Sequence, residues 1–194
     1  ADIWPDAVDD LLEARHHRQE AGQRQAAAAV TVRAAAILFR RGAFSLLQRL
    51  ATESGPDVAS QAGRTEAELL YWQSRAAQAQ GELPVAGQLA REALGRAEEL
   101  GDVRWTAICH ERLASIAAQL SEFETAWAAY QTALNLAHEN RDAVIVARCY
   151  QGFGAVAMAR GDDEDADRWS LGALNLCSPV RIFAQEMIIT GARQ

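Results

Sequence analysis

Small and apolar residues recur with helical spacing along almost the whole chain. Between positions 102 and 120, for example, Ile108, Leu113, Ile116, Ala117 and Leu120 follow mixed helical spacings and indicate one amphipathic helix. No segment shows the sustained alternation of apolar and polar residues that is typical of a strand, and no hairpin dipeptide joins two such runs. The pattern therefore predicts an all-α protein.

A pattern of small residues repeats with a period of 40 residues. Its three copies are Ala86-x3-Ala90-x2-Ala93, Ala126-x3-Tyr130-x2-Ala133 and Ala166-x3-Ser170-x2-Ala173. A turn residue precedes each copy at a matching distance, namely Gly81, Ser121 and Gly161. A period of this length accommodates two helices and two turns, and a fixed period is typical of a solenoid. Small residues suit the crossing point of two helices because they let the backbones approach.

The same register divides residues 1–194 into a single solenoid domain. The predicted segments are 5–22 (the second helix of an incomplete repeat), 24–54 (a degenerate repeat), 58–100, 102–140 and 142–178 (full repeats) and 179–194 (a terminal helix). In the degenerate repeat the second helix is short, from Phe44 to Thr52, because a Ser-Gly-Pro-Asp sequence follows it. Incomplete repeats at both ends lead us to expect a fragment of a longer protein.

A second motif precedes each copy of the small-residue pattern. Its three versions are Leu70-x2-Gln73-Ser74-x2-Ala77, His110-x2-Leu113-Ala114-x2-Ala117 and Tyr150-x2-Phe153-Gly154-x2-Ala157. Together the two motifs resemble the tetratricopeptide repeat, whose consensus runs W-x2-L-G-x2-Y and then A-x3-F. The period here is 40 rather than about 34, and Glu98, His138 and Ser178 replace the late proline of that family.

This resemblance covers residues 65–178 and implies a right-handed α-α superhelix, a solenoid of antiparallel helix pairs. The longer repeat is similar to the repeat arms of large bacterial signalling proteins and transcriptional regulators. The resemblance implies a non-catalytic module that binds a protein or peptide partner. It specifies the fold much better than the function.

Composition narrows the classes of partner and compartment. The formal net charge of −7 argues against direct nucleic-acid binding, which normally requires a basic surface. No apolar run is long enough to span a membrane, and the N-terminus does not have the layout of a signal peptide. Cys109 and Cys149 lie one repeat apart and are expected to be buried and unbridged. These features predict a cytoplasmic protein.

Motifs for catalysis, metal binding or cofactor binding are absent from the sequence. There is no Gly-rich phosphate loop, no H-E-x-x-H motif and no Cys-x2-Cys pair. The acidic cluster from Asp162 to Asp165 is expected at the start of a helix, where carboxylates are favoured. The sequence therefore predicts no enzyme, no metal and no cofactor.

In tetratricopeptide solenoids the first helix of every repeat lines the concave groove, and this resemblance identifies candidate binding residues. They are Arg33, Phe39 and Arg40; Tyr71, Trp72, Arg75 and Gln78; Glu111, Arg112 and Gln119; and Arg148, Gln151 and Met158. One arginine in each layer is expected to bind carboxylates or phosphates. Tyr71 and Trp72 are expected to form a flat aromatic platform beside them. The groove would then suit acidic peptides or protein segments.

Two alternatives remain open at this point. The arginines of the groove would simply decorate a solvated surface if they paired with Glu66, Glu68, Glu111 or their neighbours. The chain would instead be an effector-sensing or autoinhibitory arm if it belonged to a larger bacterial regulator. A further expectation is self-association through the apolar C-terminal helix.

Overall fold

The computed structural model describes residues 4–54 and 63–177, and every secondary-structure element in these ranges is an α-helix. The elements are α1 (Trp4–Glu20), α2 (Arg24–Arg40), α3 (Phe44–Glu53), α4 (Gly63–Ala79), α5 (Leu83–Glu99), α6 (Val103–Gln119), α7 (Phe123–Glu139), α8 (Ala143–Arg160) and α9 (Asp163–Cys177). The prediction of an all-α helical repeat is confirmed. The predicted terminal helix at 179–194 lies outside the described residues.

Most helices are 17 residues long and are followed by a turn of three, so a helix and its turn together occupy about 20 residues. A residue with a left-handed backbone ends many of these helices. Such residues are Gly22, Gly42, Gly81, Gly101, Ser121, Arg141 and Gly161. This conformation satisfies the last carbonyl groups of a helix and turns the chain back for the next one. Two helices with their turns give the period of 40.

Aspartate side chains cap three of the helices. Asp142 Oδ1 accepts hydrogen bonds from the backbone N–H groups of Val144 and Ile145 at the start of α8. Asp102 and Asp162 accept equivalent bonds at the starts of α6 and α9, at 3.1 Å in each case. The acidic cluster after Asp162 therefore occupies a helix start, as predicted.

Consecutive helices pack as pairs through small residues. The contacting pairs include α1–α2, α4–α5 and α8–α9, and the neighbouring first-type helices α2 and α4 also pack against each other. Ala86, Ala93 and Ala97 of α5 are completely buried. The hydroxyl group of Ser74 donates a 2.8 Å hydrogen bond to the carbonyl oxygen of Ala86, which places a side chain of α4 against the backbone of α5. Side chains larger than these would separate the two helices.

The chain forms two compact units, residues 1–105 and 106–194. The first contains α1 to α5 and the first residues of α6, and the second contains the rest of α6 and α7 to α9. The prediction of one continuous solenoid domain over 1–194 stays a prediction.

A buried arginine joins three helices of the first unit. Arg15 of α1 is 6% exposed. Its guanidinium group donates to Thr31 Oγ1 on α2 at 3.0 Å, and to the Leu50 carbonyl and Glu53 Oε2 on α3 at 3.3 and 3.0 Å. A planar group with five donors can serve these separate acceptors at once, whereas a single ammonium group cannot.

In the second unit a large aromatic side chain packs directly against a glycine. The Tyr130 ring of α7 lies directly against the Cα atom of Gly152 on α8, and a Cβ atom added to Gly152 would overlap the ring. The ring cannot easily move, because Tyr130 is 5% exposed and packs against Phe153 at 5.6 Å between ring centroids. A glycine is therefore required at position 152, because the Tyr130 ring lies so close to the backbone of α8.

We expect Arg15→Lys to lower the free energy of unfolding by about 2–3 kcal/mol, because acceptors on α2 and α3 lose their donors. Urea unfolding of the purified protein measures this change. Arg49→Lys is the matched control, since Arg49 approaches the same Glu53 carboxylate from an exposed position. A loss of similar size in both variants would contradict the special role of Arg15.

Gly152→Ala is expected to destabilise the protein by about 1–2 kcal/mol, since the overlap with Tyr130 outweighs the better helix propensity of alanine. Gly95→Ala is the matched control. No atom lies within 4 Å of the position its Cβ would take, so it is expected to stabilise α5 by about 0.5–1 kcal/mol. Thermal or urea unfolding distinguishes the two, and equal effects would refute the proposed overlap.

Candidate functional site

An arginine side chain stacks on two aromatic rings where α2 meets α4. The Cζ atom of Arg75 on α4 lies 4.0 Å from the ring centroid of Phe39 on α2 and 4.9 Å from that of Trp72. The centroids of the two rings are 6.0 Å apart. All three side chains are half-buried. Cation–π attraction to the rings holds the guanidinium plane in a defined place on the protein.

Helical spacing explains why these residues lie together. Trp72, Arg75 and Gln78 are three residues apart and therefore share one face of α4. Arg40 directly follows Phe39 at the end of α2 and is exposed. We call Phe39, Arg40, Trp72, Arg75 and Gln78 the arginine–aromatic site. Arg33 is also exposed, but it lies two turns, about 10 Å, before Arg40 along α2.

The predicted role of Tyr71 needs a correction. Its side chain is only 4% exposed, because its ring packs edge-on between Trp72 at 5.6 Å and Trp105 at 5.4 Å. Tyr71 therefore supports Trp72 from the interior and does not offer a flat surface to a ligand. Adjacent residues on a helix point about 100° apart, so only one of the two rings faces outward.

The second unit does not repeat this arrangement. Glu111 and Arg112 of α6 are 8% and 9% exposed, Arg148 of α8 is half-buried, and Gln119 and Gln151 are exposed. The predicted line of one surface arginine per layer is therefore wrong at Arg112. The aliphatic stem of an arginine packs readily inside a protein, which allows such burial.

Other charged residues occupy two of the carboxylates that were expected to neutralise the arginines. Glu68 accepts a 3.0 Å hydrogen bond from Arg64, and Glu66 Oε1 lies 3.4 Å from Arg96 Nε. Arg96 lies on α5, and Arg64 lies at the start of α4. Glu66 and Glu68 are therefore each paired with an arginine that is not one of the predicted groove residues.

A polar group that the sequence analysis did not bring together is buried in the second unit, and it includes Glu111, which was expected to line the groove. It consists of Glu111, Tyr130 and Cys149, which lie on α6, α7 and α8. Burial, followed by the negative charge of Glu111, raises the pKa of the Cys149 thiol to about 12 and also raises the pKa of Tyr130. Among the described residues, none donates a hydrogen bond to Glu111 Oε2. A residue with such a low thiolate content is a poor nucleophile.

The expected packing role of the cysteines is confirmed, since Cys109 and Cys149 are buried and carry no disulfide. No three His, Cys, Asp or Glu side chains within residues 4–54 and 63–177 are placed to hold a metal ion. The same ranges contain no helix of the length and apolarity that crossing a bilayer requires.

The fold defines a helical-repeat protein, and comparison with known proteins agrees with that class. No family model matches the chain, and no curated protein matches it. Among solved structures, BtubC (BKLC) from P. vanneervenii is similar over 91% of both chains, with 15% sequence identity and a TM-score of 0.57. At this level of identity the similarity concerns the fold alone.

The buried polar group leads to a prediction about alkaline pH. Because the folded protein keeps the Cys149 thiol protonated up to a pKa of about 12, stability is fully present below the ordinary thiol pKa of 9.0 and is lost as the pH rises towards 12. The expected loss between pH 9 and 10.5 is roughly 1.5 kcal/mol from this thiol. The 19 basic residues are all arginines, so no lysine titrates in this window.

Urea unfolding at pH 8, 9 and 10.5 measures this loss, and Cys149→Ala should remove most of the thiol contribution. Tyr130→Phe should reduce the remaining loss at the highest pH, because the pKa of Tyr130 is also raised. The assignment would be contradicted if Cys149→Ala retained the full dependence on pH.

Proposed function

We propose that this chain is a non-catalytic, tetratricopeptide-type recognition module that binds acidic protein or peptide segments at the arginine–aromatic site. The observation that carries the proposal is the position of Arg75, stacked on Phe39 and Trp72. We further propose that the module works in the cytoplasm, with which the unbridged cysteines agree.

Stacking makes Arg75 a better receptor for a carboxylate than a freely moving arginine. A guanidinium group that is already held in one orientation loses less conformational freedom when it forms two parallel hydrogen bonds with a carboxylate. Its aromatic neighbours also exclude water from one side, which strengthens the attraction between charges. Arg and Trp are common among the residues that dominate binding energy at interfaces.

The charges around the site favour an acidic partner over a basic one. Arg33 and Arg40 are exposed on α2, the helix that supplies Phe39, in a protein with a net charge of −7. A local cationic region on an acidic protein attracts anionic segments, and the rest of the surface repels them. The preferred segment would therefore present an acidic side chain to Arg75 and an apolar or aromatic side chain to Trp72.

Selection from a phage-displayed library of 12-residue peptides tests this function, followed by fluorescence polarisation with the selected peptides. We expect enrichment of Asp or Glu beside an aromatic residue. Arg75→Gln should weaken binding at least about tenfold, since it removes a charge-assisted hydrogen bond. Arg75→Lys should restore only part of the affinity, because an ammonium group lacks the planar pair of donors.

Arg91→Gln is the matched control for charge, because Arg91 is exposed on α5, away from this site. Its binding should stay within about twofold of wild type at physiological salt. Selected peptides without acidic residues, or equal losses in Arg75→Gln and Arg91→Gln, would contradict the proposal.

A further inference from the structure

A cavity of about 500 Å³ lies between α3, α4 and α5, entirely within the first unit. Its apolar part is formed by Ala51, Leu69, Leu70 and Leu89. Leu69 and Ala51 are buried, whereas Leu70 and Leu89 are half-buried. This volume lies within the usual range for small-molecule sites, about 300–1,000 Å³.

The cavity is related to the short length of α3. Helix α3 has 10 residues, whereas α5 and α7, the second helices of the next two repeats, have 17. The difference corresponds to about 10 Å of helix. The last residues of α3 that line the cavity are Ala51 and Thr52. The neighbouring part of α5 is therefore not covered by a full-length α3.

The second unit fills the corresponding positions with aromatic rings. The positions that correspond at a spacing of two repeats are Leu70 and Tyr150, Gln73 and Phe153, and Leu89 and Trp169. In the second unit the Trp169 ring centroid lies 4.7 Å from that of Phe153 and 5.3 Å from that of Tyr150. The same repeat geometry thus accommodates stacked rings, and the first unit has smaller side chains where those rings would be.

The polar rim of the cavity carries an excess of negative charge. Glu66, Glu92 and Glu99 line it together with a single cationic residue, Arg96. Three carboxylates and one guanidinium group give a net charge of −2. Arg96 already donates to Glu99 at 2.9 Å and lies 3.4 Å from Glu66, so its own charge is compensated within the protein. Glu92 Oε1 accepts a 3.0 Å hydrogen bond from the uncharged amide group of Gln88.

We propose that this cavity binds a small organic cation with an aromatic body, an arylalkyl or indolylalkyl ammonium compound. Its ring would replace the aromatic side chains that the second unit supplies from its own sequence, and its ammonium group would lie at the carboxylate rim near Glu92. The ligand is a small molecule because the cavity has a volume of about 500 Å³ and is lined by residues of three different helices, whereas an extended peptide requires a continuous groove.

This site is separate from the arginine–aromatic site. Helix α4 contributes Leu69, Leu70 and Gln73 to the cavity, and it contributes Trp72, Arg75 and Gln78 to the other surface. The two sites also prefer ligands of opposite charge. Failure of one proposal therefore leaves the other intact.

Isothermal titration of the full chain with tryptamine tests the proposal. For a ligand of this size we expect a dissociation constant of about 0.1–1 mM. Indole-3-propionate has the same ring and an anionic end, and it should bind at least about tenfold more weakly because the rim would repel it. Glu92→Gln should weaken tryptamine binding about two- to fivefold, whereas Glu98→Gln, an exposed carboxylate of α5 outside the cavity, should not change it.

Two variants should fill the cavity with an aromatic ring of the protein itself. Leu89→Trp introduces the residue that the second unit has at the corresponding position, and Gly95→Trp introduces a ring where no atom lies within 4 Å of the new Cβ. Each should abolish tryptamine binding and leave the melting temperature, followed by circular dichroism, at or above the wild-type value. Arg91→Trp, at an exposed position of α5 outside the cavity, is the control, and it should bind tryptamine like wild type.

The proposal is overturned if tryptamine produces no saturable heat up to about ten times the expected dissociation constant, as would happen if another part of the chain filled the cavity. It is also overturned if both folded tryptophan variants bind tryptamine like wild type. Equal binding of tryptamine and indole-3-propionate would refute the assignment of a cation.

Discussion

The close approach of helix backbones at alanine positions is the constraint on which the rest of this structure depends. Ala86, Ala126 and Ala133 are completely buried, and none of them contributes much apolar area by itself. Their value lies in their size, because a crossing with no bulky side chain lets longer residues beside it interdigitate. Both candidate sites depend on this close packing. Helix α4 packs closely on its neighbours and presents different residues to each site from two of its faces.

Much of the fold could be predicted because the determinants are local and repeated. Turn residues such as Gly101 and Ser121 appear at matching intervals in the sequence, and helix starts such as Asp142 follow known capping preferences. Each repeat carries the same pattern of turn and core residues. A helix whose own pattern is weak can therefore be located from the corresponding helices of the other repeats. The short α3 was also visible, because the sequence after Glu53 interrupts the helix.

The candidate site was less predictable because it depends on rotation and on distant contacts. Sequence register placed Tyr71 and Trp72 together, but a rotation of about 100° separates a buried ring from an accessible one. The stacking of Arg75 on Phe39 joins residues 36 positions apart, and no periodic signal specifies it. The cavity likewise results from the short α3 and from small side chains on α4 and α5. Their effect is apparent only when the repeats are compared in three dimensions.

The fit between Tyr130 and Gly152 has a consequence for how such arrays can change. The position of Gly152 is occupied by Arg112 one repeat earlier and by Trp72 two repeats earlier. A duplicated copy of residues 102–141, inserted after the original, would place the original Tyr130 against an arginine instead of a glycine. The repeats are similar in sequence, but they cannot be exchanged for one another. At this interface a side chain of one repeat fits only the residue that its own neighbour supplies. The packing of the core therefore also determines the order of the repeats.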